Sequence, residues 1–142
     1  MPTQIHSLDL IKHLGFHHVG NWHIDETGLN FILKEVVKNK EQSLYAFVSG
    51  TEVLYLGKST GVFIKRIRGY KRPGISQPTN NRINPKLSQM IQSKKDISIY
   101  HFECVEKFMF RDIPLNIAAA LEDALIAKIS PQWNIVGKKK AK

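Results

Sequence analysis

The 142-residue sequence contains one cysteine, no long apolar run and, from residue 58 to residue 95, no acidic side chain. The single Cys104 excludes an internal disulfide, which is typical of proteins in a reducing compartment. No apolar run reaches the roughly 20 residues that a membrane-spanning helix needs, so an integral membrane protein is excluded. The N-terminal residues also lack the basic start and apolar core of a signal peptide, and we therefore expect a cytoplasmic location.

Motifs of several enzyme and metal-binding classes are absent as well. There is no glycine-rich nucleotide-binding loop and no nucleophile elbow of the hydrolase type. Histidines cluster between residues 13 and 23, but no spacing among the histidines and Cys104 matches the cysteine-rich pattern of a structural zinc site. The sequence therefore predicts neither a nucleotide-binding loop nor a zinc site.

The segment without acidic residues carries ten of the 21 basic residues in the chain. These are Lys58, Lys65, Arg66, Arg68, Lys71, Arg72, Arg82, Lys86, Lys94 and Lys95. The rest of the chain has eleven basic and twelve acidic residues, so the net charge of +9 is concentrated in this segment. Concentrated positive charge favours a polyphosphate partner, because neutralising phosphates releases counterions. The alternative is a solvated basic face without a specific partner.

Apolar periodicity predicts an α+β domain with a small three-stranded antiparallel sheet flanked by helices, preceded by a helical N-terminal extension. Two β-rich runs around Gly50 predict a hairpin at residues 44–57, and residues 97–103 predict the third strand. Helices are expected at residues 7–14, 27–40, 59–69, 84–95 and 112–131. Residues 70–84 are rich in Pro, Gly, Asn and Arg and predict a loop.

Three units are expected along the chain. The helical extension covers residues 1–42 and the main domain covers residues 43–136. The last six residues, 137–142, form a basic tail that adds weak affinity for nucleic acid.

Glu122 lies on the apolar stripe of the last predicted helix. This stripe is formed by Ala118, Leu121, Leu125 and Ile129. A carboxylate facing inward is costly unless it meets a cation, a metal or good hydrogen bonds. Two interpretations remain open: a glutamate at the edge of the stripe that pairs with an arginine, and a metal-ligating or catalytic carboxylate.

Arg66 and Tyr70 lie four residues apart and project from the same side if the helix continues through Gly69. The planar guanidinium can clamp a phosphate, although a solvated basic helix face explains the same residues. Tyr45 and Tyr55 fit a sheet simply as strand residues. Alternatively, their hydroxyls, which need partners when buried, point at a phosphate beside the basic helix.

The ordered set Tyr45, Tyr55-Leu56-Gly57-Lys58, Arg66, Tyr70, Glu122 and Asn134 resembles the GIY-YIG nuclease superfamily over residues 43–136. The signature hairpin stands here as Ser-Leu-Tyr at 43–45 and Tyr-Leu-Gly at 55–57. A lysine after the second element and a tyrosine four residues past the arginine resemble the restriction-endonuclease branch. The sequence departs from the family at Ser43-Leu44 and at Leu56, and a slip of one residue would put Lys65 in the place of Arg66.

The resemblance implies hydrolysis of a DNA phosphodiester with one divalent metal, usually Mg²⁺, which Mn²⁺ can replace. It implies that Tyr45 orients or deprotonates the attacking water with Lys58, that Tyr55 and Tyr70 contact the phosphate or water, and that Arg66 stabilises charge on the phosphate. Glu122 would hold the metal, and Asn134 would brace the metal site or a neighbouring strand.

The basic segment would then bind DNA. Contacts to backbone phosphates are expected from Lys65, Arg68, Lys71, Arg72, Arg82 and Lys86. Base edges would be read by Gln77, Asn80 and Asn81, whose amides donate and accept hydrogen bonds.

We therefore expect a magnesium-dependent endonuclease acting on double-stranded DNA, of the type II restriction kind. Cutting both strands of a symmetric site would require a homodimer, and a cognate DNA methyltransferase would be its genetic partner. Three alternatives remain open: a repair or mobile-element nuclease, a non-catalytic DNA-binding module and an RNA-binding protein.

Overall fold

A computed structural model describes residues 6–105 and 107–135, in which helices pack on both faces of one sheet. The helices are α1 Ser7–Leu14, α2 Glu35–Lys38, α3 Phe63–Lys71, α4 Pro78–Gln92 and α5 Ile117–Ile129. The strands are β1 His17–Asp25, β2 Gly28–Leu33, β3 Ser43–Ser49, β4 Glu52–Ser59, β5 Ile97–Glu103, β6 Phe108–Phe110 and β7 Ile113–Leu115. No helix in these described ranges is long and apolar enough to cross a membrane. The predicted tail at 137–142 lies outside the described residues.

The main sheet has five strands in the order β2-β1-β5-β3-β4, and every neighbouring pair is antiparallel. The α+β class is confirmed, but the prediction of three strands was wrong. Strands β1 and β2 form a hairpin in the segment that the sequence suggested was a helical extension. Its turn contains Gly28 at a φ of 106°, and Trp22 and Phe31 pair across the two strands. The apolar run after Gly28 fits both periods, and cross-strand pairing decides between them.

Several helix boundaries also differ from the sequence prediction, and the largest differences are at the starts of α4 and α5. Helix α4 begins at Pro78, so Pro85 lies inside the helix instead of at its start. Helix α5 begins only at Ile117, where the side chain of Asn116 accepts a hydrogen bond from the Ala119 amide at 3.1 Å. The residues before it form the separate hairpin β6–β7, which the sequence analysis missed.

The alternation of β3 divides the core into two clusters. Tyr45 and Phe47 face the side covered by α3 and α4, whereas Leu44 and Ala46 face the side covered by α1 and α5. Helix α5 packs mainly on β4, which is the edge strand of the sheet. Glu122 on α5 therefore lies near this edge strand, where Lys58 of β4 and Arg66 of α3 act on its charge.

Candidate active site

The β3–β4 hairpin brings Tyr45 directly beside Gly57. The two residues are partners in the antiparallel register, and the ring of Tyr45 passes over the glycine. A Cβ atom at position 57 would stand 2.4 Å from Cζ and 2.5 Å from the hydroxyl oxygen of Tyr45. A glycine at position 57 is thus required by the position of the Tyr45 ring.

Gly57→Ala is expected to destabilise the fold by about 1–3 kcal/mol, because the buried ring of Tyr45 must shift in a packed core. Thermal or urea unfolding measures this loss. Gly61→Ala is the matched control, since a Cβ there meets nothing within 4 Å. Equal stability of the two variants would show that the ring is not held against the strand.

Arg66 on α3 binds both tyrosine hydroxyls. Its Nε donates to the Tyr45 oxygen at 3.0 Å, and its Nη2 donates to the Tyr70 oxygen at 2.9 Å. The two hydroxyl oxygens are themselves 2.5 Å apart. The expectation that Arg66 and Tyr70 share one side of the helix is met in this geometry, because α3 continues through Gly69. Lys65, one residue earlier, is exposed.

Burial raises the pKa of Tyr45 and that of Tyr70 well above the ordinary tyrosine value, although the charge of Arg66 opposes the shift. Both hydroxyls are therefore protonated at neutral pH. One hydroxyl proton bridges the two oxygens, and both oxygens accept from Arg66. Both tyrosine rings are fully buried, whereas Arg66 lines the groove. The tyrosines therefore hold the guanidinium from the side of the core.

Asn80 fixes the remaining side of the guanidinium. Its Oδ1 accepts from Nη1 of Arg66 at 3.1 Å, and its Nδ2 donates to Oε1 of Gln77 at 3.0 Å. The same Gln77 oxygen accepts the backbone amide of Gly74 at 2.9 Å. A chain of hydrogen bonds therefore joins Arg66 to the loop between α3 and α4. The sequence analysis treated Asn80 as a base reader and missed this position, where it is buried.

A groove of about 400 Å³ opens in front of this cluster. Its lining includes Lys58 from β4, Lys65 and Arg66 from α3, and Gln77 and Asn80 from the start of α4. The groove is thus basic and has no acidic residue in its lining. Such a surface suits a phosphate chain.

Glu122 lies half-buried on α5, at the edge of β4. Burial raises its pKa, while the positive charges of Lys58 and Arg66 act against the shift. Within residues 6–105 and 107–135 it has no hydrogen bond and no ion pair within 4 Å, so the paired-arginine interpretation has no geometric support there. Its carboxylate faces the cations of the groove without being neutralised by a direct contact.

Glu122→Gln is expected to stabilise the protein at neutral pH. A raised carboxyl pKa means that the folded state binds the proton more tightly, so its stabilising effect is complete below the ordinary value of 4.5 and is lost as the pH rises through the raised pKa. The amide escapes this loss. The difference in Tm between variant and wild type should shrink as the pH falls below 4.5; a difference independent of pH would contradict the interpretation.

The only metal ligand that the sequence analysis predicted is the carboxylate of Glu122, and a single carboxylate suits a hard cation that needs few protein ligands. The described part of the chain has no group of three or more His, Cys, Asp or Glu side chains that could together hold a metal. Mg²⁺ is commonly bound by one or two carboxylates, with water and substrate phosphates completing its shell. The Glu122 carboxylate beside this basic groove fits that arrangement.

Asn134 acts on the backbone of β4. Its Oδ1 accepts the Leu56 amide at 3.0 Å, and its Nδ2 donates to the Leu56 carbonyl at 2.9 Å. The Trp133 amide donates to the Leu54 carbonyl at 2.9 Å. The end of the described chain thus lies along the outer edge of β4. Asn134 was expected to brace either the metal site or a neighbouring strand, and this contact corresponds to the second expectation.

Tyr55 and Ser43 complete the hairpin. Tyr55 is buried beside Tyr45, with ring centroids 6.3 Å apart. Ser43, at the start of β3, makes a 2.7 Å hydrogen bond to Nε2 of His101 on β5. Burial lowers the pKa of His101 to about 4, so the imidazole is neutral at neutral pH. The serine thus ties the start of β3 to β5, a pairing that nothing in the sequence pattern indicated.

Apart from the buried Asn80, the predicted DNA-binding residues separate into two groups. An exposed group consists of Lys65, Arg68, Arg72, Gln77 and Asn81. The half-buried cations include Lys86 and two whose heads bind the protein: Lys71 donates to Asn30 Oδ1 at 3.1 Å, and Arg82 donates to the Trp133 carbonyl at 2.5 Å. The side-chain amide of Asn81 donates to the carbonyls of Gly74 and Gln77. The structure thus shows which of these groups already have partners within the protein.

No protein-family model and no curated protein matches this sequence. Two solved structures are similar in fold. A mutant of EndoII from bacteriophage T4 has a TM-score of 0.68 at 18% identity, over 92% of this chain and 99% of that one. The restriction endonuclease HPY188I, solved with product DNA, has a TM-score of 0.52 at 15% identity, over 94% of this chain and 85% of that one.

The fold is one that a restriction endonuclease uses. At this level of identity the similarity establishes the architecture and leaves the chemistry to the residues of this chain. It spans nearly the whole chain.

Proposed function

We propose that this protein is a magnesium-dependent DNA endonuclease of the GIY-YIG type, acting as a type II restriction enzyme in the cytoplasm. The observation that carries the proposal is the Arg66 guanidinium, which two buried tyrosine hydroxyls and Asn80 hold at the wall of a basic groove. All three guanidinium nitrogens of Arg66 are held by hydrogen bonds, so its positive charge has a fixed position. Such an arginine can stabilise negative charge that develops at one point of a substrate in the transition state. The fold shared with a restriction endonuclease supports the same function.

In this mechanism the scissile phosphate lies in the groove against Arg66 and Lys58. The guanidinium stabilises the negative charge that grows on the phosphate oxygens during attack by water. Burial keeps the Tyr45 hydroxyl protonated, which disfavours proton abstraction from the attacking water. Because the ring is fully buried, Tyr45 acts on the reaction through Arg66 and does not orient the water directly. Tyr45 and Tyr70 therefore position Arg66, and Lys58, a half-buried cation in the lining of the groove, would contact the attacking water.

Glu122 would hold the metal at the groove edge. A bound Mg²⁺ supplies Lewis-acid polarisation of the phosphate and stabilises the leaving oxygen. The carboxylate must be deprotonated to bind the cation, so its raised pKa limits metal binding at low pH. Lys58 and Arg66 favour the charged carboxylate and keep it available at neutral pH.

The hydrogen-bond chain from Arg66 through Asn80 to Gln77 and Gly74 links the phosphate-binding arginine to the loop that would read DNA. Nε2 of Gln77 and Oδ1 of Asn81, which make no hydrogen bond among the described residues, would meet base edges. Lys65, Arg68 and Arg72, which are exposed, would meet phosphates. Correct seating of the loop on DNA then sets the orientation of Arg66. A cognate methyltransferase would protect the host site, and cleavage of both strands would take two copies of the chain.

Plasmid cleavage in magnesium tests this proposal, with EDTA as the metal-free control and an unmethylated plasmid mixture as substrate. Discrete fragments that require the metal are the expected result. Preference for flaps or junctions over linear duplex would assign a repair nuclease instead. Salt-sensitive binding without any cleavage would assign a DNA-binding module, and binding to RNA in preference to DNA would reject the substrate class.

A further inference from the structure

A second pocket, of about 310 Å³, lies between the start of β1, helix α2 and the end of β5. It shares no lining residue with the groove that holds Arg66. The basic side chains and imidazoles of its lining are His17, His18, Lys34, Lys40 and His101. The lining has one acidic residue in the described part of the chain, Glu103, which is paired with Lys40 at 3.1 Å. The pocket is therefore positive, and its volume is at the lower end of the range for small-ligand sites.

His101 presents a ring nitrogen to this pocket. The residue is only 5% exposed, and its Nε2 is hydrogen-bonded to the hydroxyl of the fully buried Ser43 at 2.7 Å. Its Nδ1 makes no hydrogen bond within the described residues, where Trp22 Nε1 is the one side-chain polar atom that is both buried and without a partner. Because His101 lines the pocket and its Nδ1 is not a buried orphan of that kind, this nitrogen opens into the cavity.

The chemistry of the lining favours an anion over a metal cation. The described part of the chain has no group of three or more His, Cys, Asp or Glu side chains that could together hold a metal. In the tautomer that carries the proton on Nδ1, the Ser43 hydroxyl donates to Nε2 of His101, and the Nδ1–H group is a donor for a ligand. A fixed donor beside two lysine ammonium groups matches the oxygens of a phosphate group. The apolar part of the lining, which suits the carbon atoms of a sugar, consists of Val19, Val36 and Val37.

We propose that this pocket is a phosphate-binding subsite, in which Nδ1 of His101 and the ammonium group of Lys40 contact the oxygens of a phosphate ester. The phosphate group can come from a free nucleotide or from a nucleic-acid backbone, because both present the same oxygens. The proposal concerns binding alone and does not rest on the proposed activity.

Phe63 separates this subsite from the Arg66 cluster. Its ring centroid lies 4.7 Å from that of His101 and 5.7 Å from that of Tyr45. Its amide donates to the Lys40 carbonyl at 2.9 Å. A phosphate held by His101 and Lys40 would therefore lie beside the first residue of α3, the helix that carries Arg66.

Proton–nitrogen correlation NMR of the imidazoles, recorded on the full chain in EDTA, tests the proposal. Inorganic phosphate, thymidine monophosphate and duplex DNA are titrated separately, and sodium chloride at equal ionic strength controls for screening. The Nδ1 signal of His101, assigned with His101→Gln, should shift to saturation with phosphate and remain unchanged with chloride. Saturation by the free phosphates alone assigns a free nucleotide as the ligand. Saturation by the duplex, reversed by inorganic phosphate, assigns the backbone.

Two substitutions that break the same ion pair distinguish binding from a structural effect. Lys40→Gln should weaken phosphate binding about tenfold or more, because it removes a charge-assisted hydrogen bond and leaves Glu103 unpaired. Glu103→Gln should tighten binding, because it removes the opposing charge. If the pair only held the pocket together, both variants would weaken binding. Lys12→Gln is the matched control, since Lys12 is exposed on α1, which covers the other face of the sheet.

The proposal would be overturned if none of the three phosphate probes shifts the His101 signal to saturation. Binding that Lys40→Gln leaves intact, or that Lys12→Gln weakens equally, would overturn it as well. Thermal unfolding checks that each variant is folded, and Lys40 and Lys12 both lie at the surface. Cleavage is not measured, so failure here and failure of the proposed function are distinguishable.

Discussion

Glu122→Gln is expected to slow DNA cleavage in magnesium by a factor on the order of 10³ or more, because the variant loses a metal interaction worth several kcal/mol in the transition state. The amide keeps the size of the side chain and removes the charge that a cation needs. DNA affinity measured in EDTA should stay within about twofold, since Glu122 contributes no positive charge to the groove. Single-turnover cleavage across a magnesium titration measures the effect.

Asp123→Asn provides the matched control. Asp123 is the exposed neighbour of Glu122 on α5, and its replacement changes the net charge by the same amount. Its cleavage rate is expected to remain within a few-fold of wild type. Equal rates for Glu122→Gln and Asp123→Asn would place the metal elsewhere and leave Glu122 with a structural function only.

Arg66→Lys is expected to lower the turnover of bound DNA by about 10²–10³-fold, although the positive charge is retained. A lysine cannot reproduce the planar fork that donates at once to Tyr45, Tyr70 and Asn80. The ammonium group would therefore not be held at the place where charge develops on the phosphate. Turnover should fall much more than DNA affinity, and pre-steady-state cleavage with a separate binding measurement distinguishes the two.

The same substitution at Arg68 controls for a general effect of replacing arginine by lysine on α3. Arg68 is exposed on the opposite side of the helix from the tyrosines, and a lysine there still meets a phosphate as a point charge. Arg68→Lys should change turnover less than threefold, with any effect falling on DNA affinity. If Arg66→Lys behaves in the same way, Arg66 serves to hold the buried tyrosines and not the phosphate.

The parts of the fold with a local signal could be predicted from the sequence. The β3–β4 hairpin, β5 and the body of α5 carry strong periodicity or turn residues, and they lie close to the expected bounds. The β1–β2 hairpin could not be assigned in the same way. Its second strand has an apolar run that also fits a helical stripe, and only pairing with β1 and then β5 selects the strand.

In the candidate site, too, features set by local sequence could be predicted, whereas features set by tertiary packing could not. The spacing of Arg66 and Tyr70 is local and predicted their shared side correctly, whereas the proton state of Tyr45 depends on burial that no local pattern reveals. Asn80 did carry a signal. It lies at i, i+3 and i+7 with Ile83 and Leu87, which are both buried, so extending the helix back to Pro78 would have placed it on the inner face.

The contacts of Trp133 and Asn134 with β4 have a consequence for solubility. An edge strand normally offers unpaired amides and carbonyls that can recruit a strand from another molecule and start aggregation. Here the Leu54 carbonyl and both backbone groups of Leu56 already have partners, and Arg82 anchors the blocking segment through the Trp133 carbonyl. The last described residues therefore cover the edge of the sheet. A chain cut before Trp133 would leave backbone groups of β4 unpaired and open to strand pairing with another molecule.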